Sequence, residues 1–168
     1  MLEIGKSYTI EQVVTPEMTA RAIGSGGLEV FGTPFMMAMM EHAAMDCVQP
    51  DLPEGKGTVG VDIQSSHLAP TPVGMTVRAT ATVTGVSENG KLITFRVEAS
   101  DDWGPIGEGT HTRAVIANDR FLQKCNGCRI FFYRIYLSLC CTKRHLNRNR
   151  TCARSNIIDN RIRRKLQM

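Results

Sequence analysis

Three side chains in the first half of the chain, Thr33, Glu41 and His67, have the types and surroundings that chemistry needs. Thr33 precedes Pro34, a pairing that opens a helix: the hydroxyl can cap the first amides and proline suits the first turn. Capping alone accounts for the pair. The same helix end also offers free N–H groups and a positive dipole, which suit a developing oxyanion, and the two roles are compatible. Glu41 lies in a run with almost no polar residues, its only ionisable companions being His42 and Asp46. A carboxylate is seldom buried unless paired or functional, and desolvation makes it a stronger base or nucleophile. Its ordinary alternatives are a polar gap to solvent or an ion pair with an arginine such as Arg78 or Arg96. His67 stands where a strand-like run meets Leu68-Ala69-Pro70-Thr71-Pro72. A lone histidine is more often structural than catalytic, but a proline-fixed turn holds a ring rigidly, and imidazole exchanges protons near neutrality.

The elements that must position these groups follow from pattern. Residues 5–14 read as a strand, and Thr15-Pro16-Glu17 predicts a short helix running to the flexible stretch Gly24-Ser25-Gly26-Gly27. A long helix is predicted over 34–48, stopped by Pro50 and Pro53. Being apolar nearly all round, it is expected to be buried on most sides. Period-two alternation then predicts strands over 58–68, 75–87, 91–100 and 107–117, with Asn89-Gly90 turning a hairpin between the second and third of these. One buried helix wrapped by a curved antiparallel sheet is an α+β, hot-dog arrangement. In that helix, eight residues separate Thr33 from Glu41 by about 12 Å along the axis and about 80° around it. The two cannot easily touch within one chain. Two such helices antiparallel across a two-fold axis would bring Thr33 of one chain to Glu41 of the other, which predicts a homodimer with two equivalent shared sites.

Composition divides the chain. Residues 1–123 carry 8 Lys/Arg and 15 Asp/Glu, a net −7, whereas residues 124–168 carry 12 and 1, a net +11. Cys47 precedes this boundary; Cys125, Cys128, Cys140, Cys141 and Cys152 follow it. The two parts are therefore read as a folded domain over 1–123 and a basic, cysteine-containing tail over 124–168 outside the fold. Cys125-Asn-Gly-Cys128, with His145 and the later cysteines, has knuckle-like spacing, but one CxxC without a second pair is weak support for a metal. The basic tail lacks interleaved aromatics after Tyr136, so nucleic acid is not an expected partner. The plainest reading is a passenger segment not selected to fold. No apolar run reaches the ~18–20 residues of a membrane span, and the N-terminus lacks the pattern of a secretory signal, so a cytoplasmic protein is expected.

Taken together, Thr33-Pro34, Glu41 eight residues on, His67-Leu-Ala-Pro-Thr-Pro-Val-Gly74, and Gly107-Glu-Gly-Thr-His111-Thr-Arg113 resemble the fluoroacetyl-CoA thioesterase-like branch of the hot-dog superfamily over residues 5–123. The resemblance implies Thr33, Glu41 and His67 as a catalytic set, and Phe31, Pro34, Gly60, His111 and Arg113 as substrate contacts. It also implies a dimer, an acyl-CoA substrate, and no cofactor or metal, coenzyme A entering as part of the substrate. The sequence departs from the family upstream of the threonine. There the fluoroacetyl specialist carries a lid of aromatic residues; here stand Gly24-Ser25-Gly26-Gly27, with Leu28 and Phe31 the nearest bulky groups. Fluoroacetyl selectivity is therefore not carried over, and another short or medium acyl group is equally expected. The expected reaction is hydrolysis, with Glu41 activating water or attacking directly to give an anhydride, and His67 moving protons. The alternatives are a hot-dog module that binds an acyl-CoA without cleaving it, and a dimerisation platform for the basic tail.

Overall fold

A computed structural model of the chain describes residues 2–126. The element order is β1 (Ser7–Val13), a single 3-10 turn (Pro16–Met18), α1 (Thr33–Val48), a second 3-10 turn (Gln49–Asp51), β2 (Lys56–His67), β3 (Thr76–Val86), β4 (Leu92–Ser100) and β5 (Pro105–Ala117). The strands form one antiparallel five-stranded sheet in the order β1-β3-β4-β5-β2. Helix α1 packs against all five strands. One long helix wrapped by a sheet is the expected arrangement, and its strands lie within two residues of their predicted limits.

Alternation builds the core. Val77, Ala79, Ala81 and Val83 of β3 and Ile93, Phe95, Val97 and Ala99 of β4 are buried, and they face Met36, Met39, Met40, Ala43, Ala44, Cys47 and Val48 of α1. Small alanines opposite flexible methionines let helix and sheet approach closely.

Several details differ from expectation. The predicted short helix is only the turn Pro16–Met18, because Thr19 takes an extended conformation, sets its Oγ1 on Pro16 O at 2.8 Å and bridges to Phe31. The glycine-rich stretch is folded back on itself. Ala20 N donates to Val30 O at 2.8 Å, Arg21 N to Leu28 O at 3.0 Å, and the Arg21 guanidinium pairs with Glu29 at 2.9 Å. Helix α1 also has a solvent side in the single protomer. Pro34, Ala38 and His42 are exposed, and Met37, Glu41 and Met45 are half-buried.

The compact unit ends at Phe121, and residues 118–126 are helical, so the compositional boundary at 123/124 falls within one helical run. Cys125 is exposed. Cys128, Cys140, Cys141, His145, Cys152 and most of the basic tail lie outside the described residues.

Candidate active site

Thr33 is not the helix cap. Gly32 occupies that position without a side-chain bond, and Thr33 is the first residue of α1. Its hydroxyl is thereby free to turn away from the helix, and Oγ1 lies 2.8 Å from His67 Nδ1. Pro34 has no N–H, and Phe35 N and Met36 N both donate to Gly32 O at 2.9 and 3.1 Å. The first turn therefore keeps the Thr33 N–H as its one amide without a main-chain partner among the described residues. A hydroxyl, an amide and the positive end of a 16-residue helix converge at one point.

His67 ends β2. The turn beyond it is fixed by bonds that sequence reasoning passed over. Leu68 N donates to Ile106 O at 2.8 Å, and the buried Thr71 hydroxyl donates to Asp101 Oδ2 at 2.7 Å. The other Asp101 oxygen accepts from the amides of Trp103 and Gly104. Phe31 N donates to Thr71 O at 2.8 Å, so the entry to α1 hangs on the same turn. Their only sequence signal was the Asp-x-Trp-Gly turn at 101–104. His67 Nε2 is shielded from solvent and has no hydrogen-bond partner among the described residues. An imidazole with one nitrogen on a hydroxyl and the other uncommitted is set up to pass a proton.

A cavity of about 570 Å³ opens over this pair, lined by Thr33, His67, Phe31 and Pro34 together with the folded-back segment at Ala20, Ser25 and Val30. Of the residues expected to contact substrate, Phe31 and Pro34 stand here. A volume in this range accommodates a small acyl group and part of its carrier.

Glu41, Gly60, His111 and Arg113 form a second cluster, away from that cavity. Glu41 Oε1 lies 3.6 Å from His111 Nε2 and 3.8 Å from Arg113 Nη1. The pairing with Arg78 or Arg96 weighed from sequence is not found: Arg78 engages Glu11 and Asp102, and Arg96 engages Glu98. A β-carbon at Gly60 would overlap Glu41 Oε1, so glycine is what gives the carboxylate its place. Gly60 also borders the β-bulge at Val61 in β2. The Glu41 side chain is 42% exposed, so its own chain does not supply the burial expected from an apolar helix.

His111 and Arg113, also expected to touch substrate, are buried at 1% and 6% exposure in the single protomer. Burial pushes the His111 ring towards its neutral form. Burial likewise lowers Arg113, with Glu41 opposing it, and a guanidinium remains charged throughout. Among the described residues no group of three or more potential ligands could hold a metal, and no helix is long and apolar enough to cross a membrane.

The architecture and the helix-mouth Thr–His pair define a hot-dog protein of the thioesterase superfamily. A structure of the fluoroacetyl-CoA thioesterase FlK matches with a TM-score of 0.71 at 36% identity, covering 76% of this chain and 97% of that one. The crystal structure of a thioesterase superfamily member from Thermus thermophilus matches with a TM-score of 0.73 at 29% identity, covering 80% of this chain and 98% of that one. In sequence, the fluoroacetyl-CoA thioesterase of Streptantibioticus cattleyicolor is 37% identical over 129 residues, 73% of this chain and 91% of that protein. The family model described as fluoroacetyl-CoA-specific thioesterase matches residues 14–119, and the chain belongs to that family. It is a thioesterase.

Proposed function

We propose that this protein hydrolyses a short or medium acyl-CoA thioester to the free acid and coenzyme A, with Thr33, Glu41 and His67 as the reacting groups. The observation that carries this reading is the 2.8 Å contact between Thr33 Oγ1 and His67 Nδ1 at the mouth of α1, facing an open cavity. A FlK variant solved with fluoroacetate and CoA, 37% identical to this chain, supports a CoA thioester as the substrate class. The Ala20, Ser25 and Val30 rim puts no aromatic side chain from the glycine-rich segment into the cavity, which suits acyl groups larger than fluoroacetyl.

The thioester carbonyl oxygen would sit against the Thr33 N–H and hydroxyl, where the helix dipole stabilises charge as the carbonyl is attacked. The Glu41 carboxylate supplies the attack, either by taking a proton from water or by bonding to the carbonyl carbon as an anhydride that water then opens. The C–S bond breaks as the tetrahedral adduct collapses; a protonated His67 gives its proton to the leaving thiolate, and the water that ends up in the acid product returns one to His67.

The carboxylate comes from a second copy. Strand β2 is an edge of the sheet, and its exposed bulge residue Val61 is 56% accessible. A twelve-residue unpaired edge invites a further strand. Two β2 strands pairing antiparallel about a two-fold near Ile63 and Gln64 would set His67 of one chain beside Gly60 of the other, and with it the partner's Glu41. The same contact would cover the half-exposed apolar side of α1 and desolvate the carboxylate.

The test is a hydrolysis assay of the full chain across acetyl-, medium-chain and aromatic acyl-CoAs, with Glu41→Gln as control. Turnover that the substitution abolishes supports the reading. Tight acyl-CoA binding with no turnover by either protein would refute it in favour of a binding module.

A further inference from the structure

Thr71 is a fully buried polar residue that the proposed chemistry does not use. It stands between Pro70 and Pro72 in the turn that follows His67. Its hydroxyl donates to Asp101 Oδ2 at 2.7 Å, a charge-assisted bond whose two partners are both shielded from water. Asp101 Oδ1 accepts from Trp103 N at 2.8 Å and Gly104 N at 3.2 Å, and Asp101 N donates to Gly104 O at 2.9 Å. The carboxylate is therefore fixed by its own turn, between β4 and β5, and holds Thr71 from there.

The Thr71 carbonyl is committed as well. It accepts from Phe31 N at 2.8 Å, and Val30 bridges to Pro72. Thr33 follows Phe31 by two residues, and Gly32 between them donates to Met18 O at 2.9 Å. A β-carbon at Gly32 would lie 2.7 Å from Ile23 Cδ1 and 3.2 Å from Met18 O, so the entry to α1 is tightly seated. One residue thus joins the segment that carries Thr33 to the turn that carries His67. Ala69 and Thr71 each precede a proline and are biased to extended conformations, so a shift at Thr71 passes along the turn to His67.

We propose that Thr71, anchored by Asp101, is a positioning residue that sets the 2.8 Å contact between Thr33 Oγ1 and His67 Nδ1. Neither Thr71 nor Asp101 lines the cavity, so neither touches substrate on this account. Neither belongs to the apolar core between α1 and the sheet. The proposal rests on the reading of Thr33 and His67 as reacting groups. It predicts effects on kcat rather than KM, because a displaced hydroxyl weakens the stabilisation of developing charge and leaves the pocket walls in place.

The experiment measures acyl-CoA hydrolysis by full-length Thr71→Val, Thr71→Ser and Asp101→Asn, each made in the wild-type and Thr33→Ala backgrounds, together with nitrogen-15 NMR of the His67 ring. Valine keeps the β-branched shape without the hydroxyl; serine keeps the hydroxyl. Thr71→Val should lower kcat about tenfold with KM within about twofold, Thr71→Ser should stay within about threefold of wild type, and Asp101→Asn should fall between them. In the Thr33→Ala background none of the three should change kcat by more than about twofold. The His67 Nδ1 resonance should move in Thr71→Val in the same direction as in Thr33→Ala, because both take the hydroxyl away from the ring. An unchanged kcat in Thr71→Val overturns the proposal, as does an equal loss in Thr71→Val and Thr71→Ser, an equal loss in both backgrounds, or an unmoved His67 resonance. If Thr71→Val fails to fold, the kinetics of Asp101→Asn in the two backgrounds and its His67 spectrum still decide. A fully active Thr33→Ala sinks the assignment of Thr33 and this proposal together. An impaired one with an undiminished Thr71 effect sinks this proposal alone.

Discussion

The two clusters on α1 are built in opposite ways. At its first residue, Thr33 and His67 meet beneath an open cavity, held by main-chain bonds in the turns around them and leaving His67 Nε2 uncommitted. At its middle, Glu41 is presented by a buried frame of Arg113, His111 and Gly60 whose polar atoms are largely spent on one another. The first cluster has a pocket and lacks a carboxylate. The second has a carboxylate and lacks a pocket. On the proposed reading each is half of a hydrolytic site, and helix geometry separates Thr33 from Glu41 by about 12 Å along the axis within a chain.

The largest expected effect comes from removing the charge of the second half. Glu41→Gln should lower kcat by about a thousandfold, while thermal melting stays near wild type, because the carboxylate makes no hydrogen bond within the described protomer. Next is the first half: Thr33→Ala should cost about a hundredfold in kcat through loss of the hydroxyl beside the oxyanion, with Thr33→Ser recovering most of it. An equal effect of both threonine substitutions would show that the side chain serves packing. Gly60→Ala is smaller, about tenfold, because the new methyl displaces the flexible end of Glu41 and crowds the His111 ring, with no backbone in its way. A large drop in melting temperature there, in place of lost activity, would break the distinction between presenting the carboxylate and supporting the fold.

The smallest expected effect is on stability. His111 is held below its ordinary pKa by burial, so the unfolded chain binds more protons as pH falls below about 6.5, and stability declines there. The contribution is fully present at neutral pH and is lost between the unfolded and the lower folded pKa, with a slope no steeper than about 1.4 kcal/mol per pH unit for one proton. Melting curves of wild type and His111→Phe from about pH 7.5 to 5.5 should therefore converge as pH falls. Parallel curves would contradict the assignment.

The fold was legible because its signals were local. Strict alternation in β3 and β4 and an apolar helix bounded by prolines need no knowledge of the whole. The Thr-Pro pair and the histidine before a proline turn were legible as positions, but their partners were not. Thr33 read as a cap because a threonine before proline fits that geometry, and only the tertiary placement of His67 shows that its hydroxyl is spent elsewhere. Glu41 read as buried because its neighbours in sequence are apolar. Exposure, however, depends on which side of α1 the sheet covers, and the sheet leaves Glu41 half open. His111 and Arg113 lie on alternate residues of β5, and pattern alone could not show that both are buried beside Glu41. Thr71 and Asp101 went unnoticed because their contact joins turns thirty residues apart.

The central claim is that one protomer's Thr33–His67 pair works with the other protomer's Glu41, and subunit complementation tests it most directly. Thr33→Ala and Glu41→Gln chains, each nearly inactive alone, would be mixed under conditions of subunit exchange and assayed on an acyl-CoA. A shared site predicts that half of the dimers regain one intact site, returning about a quarter of wild-type activity. Activity that stays at the level of the parent variants, with mixed dimers demonstrably formed, would contradict it.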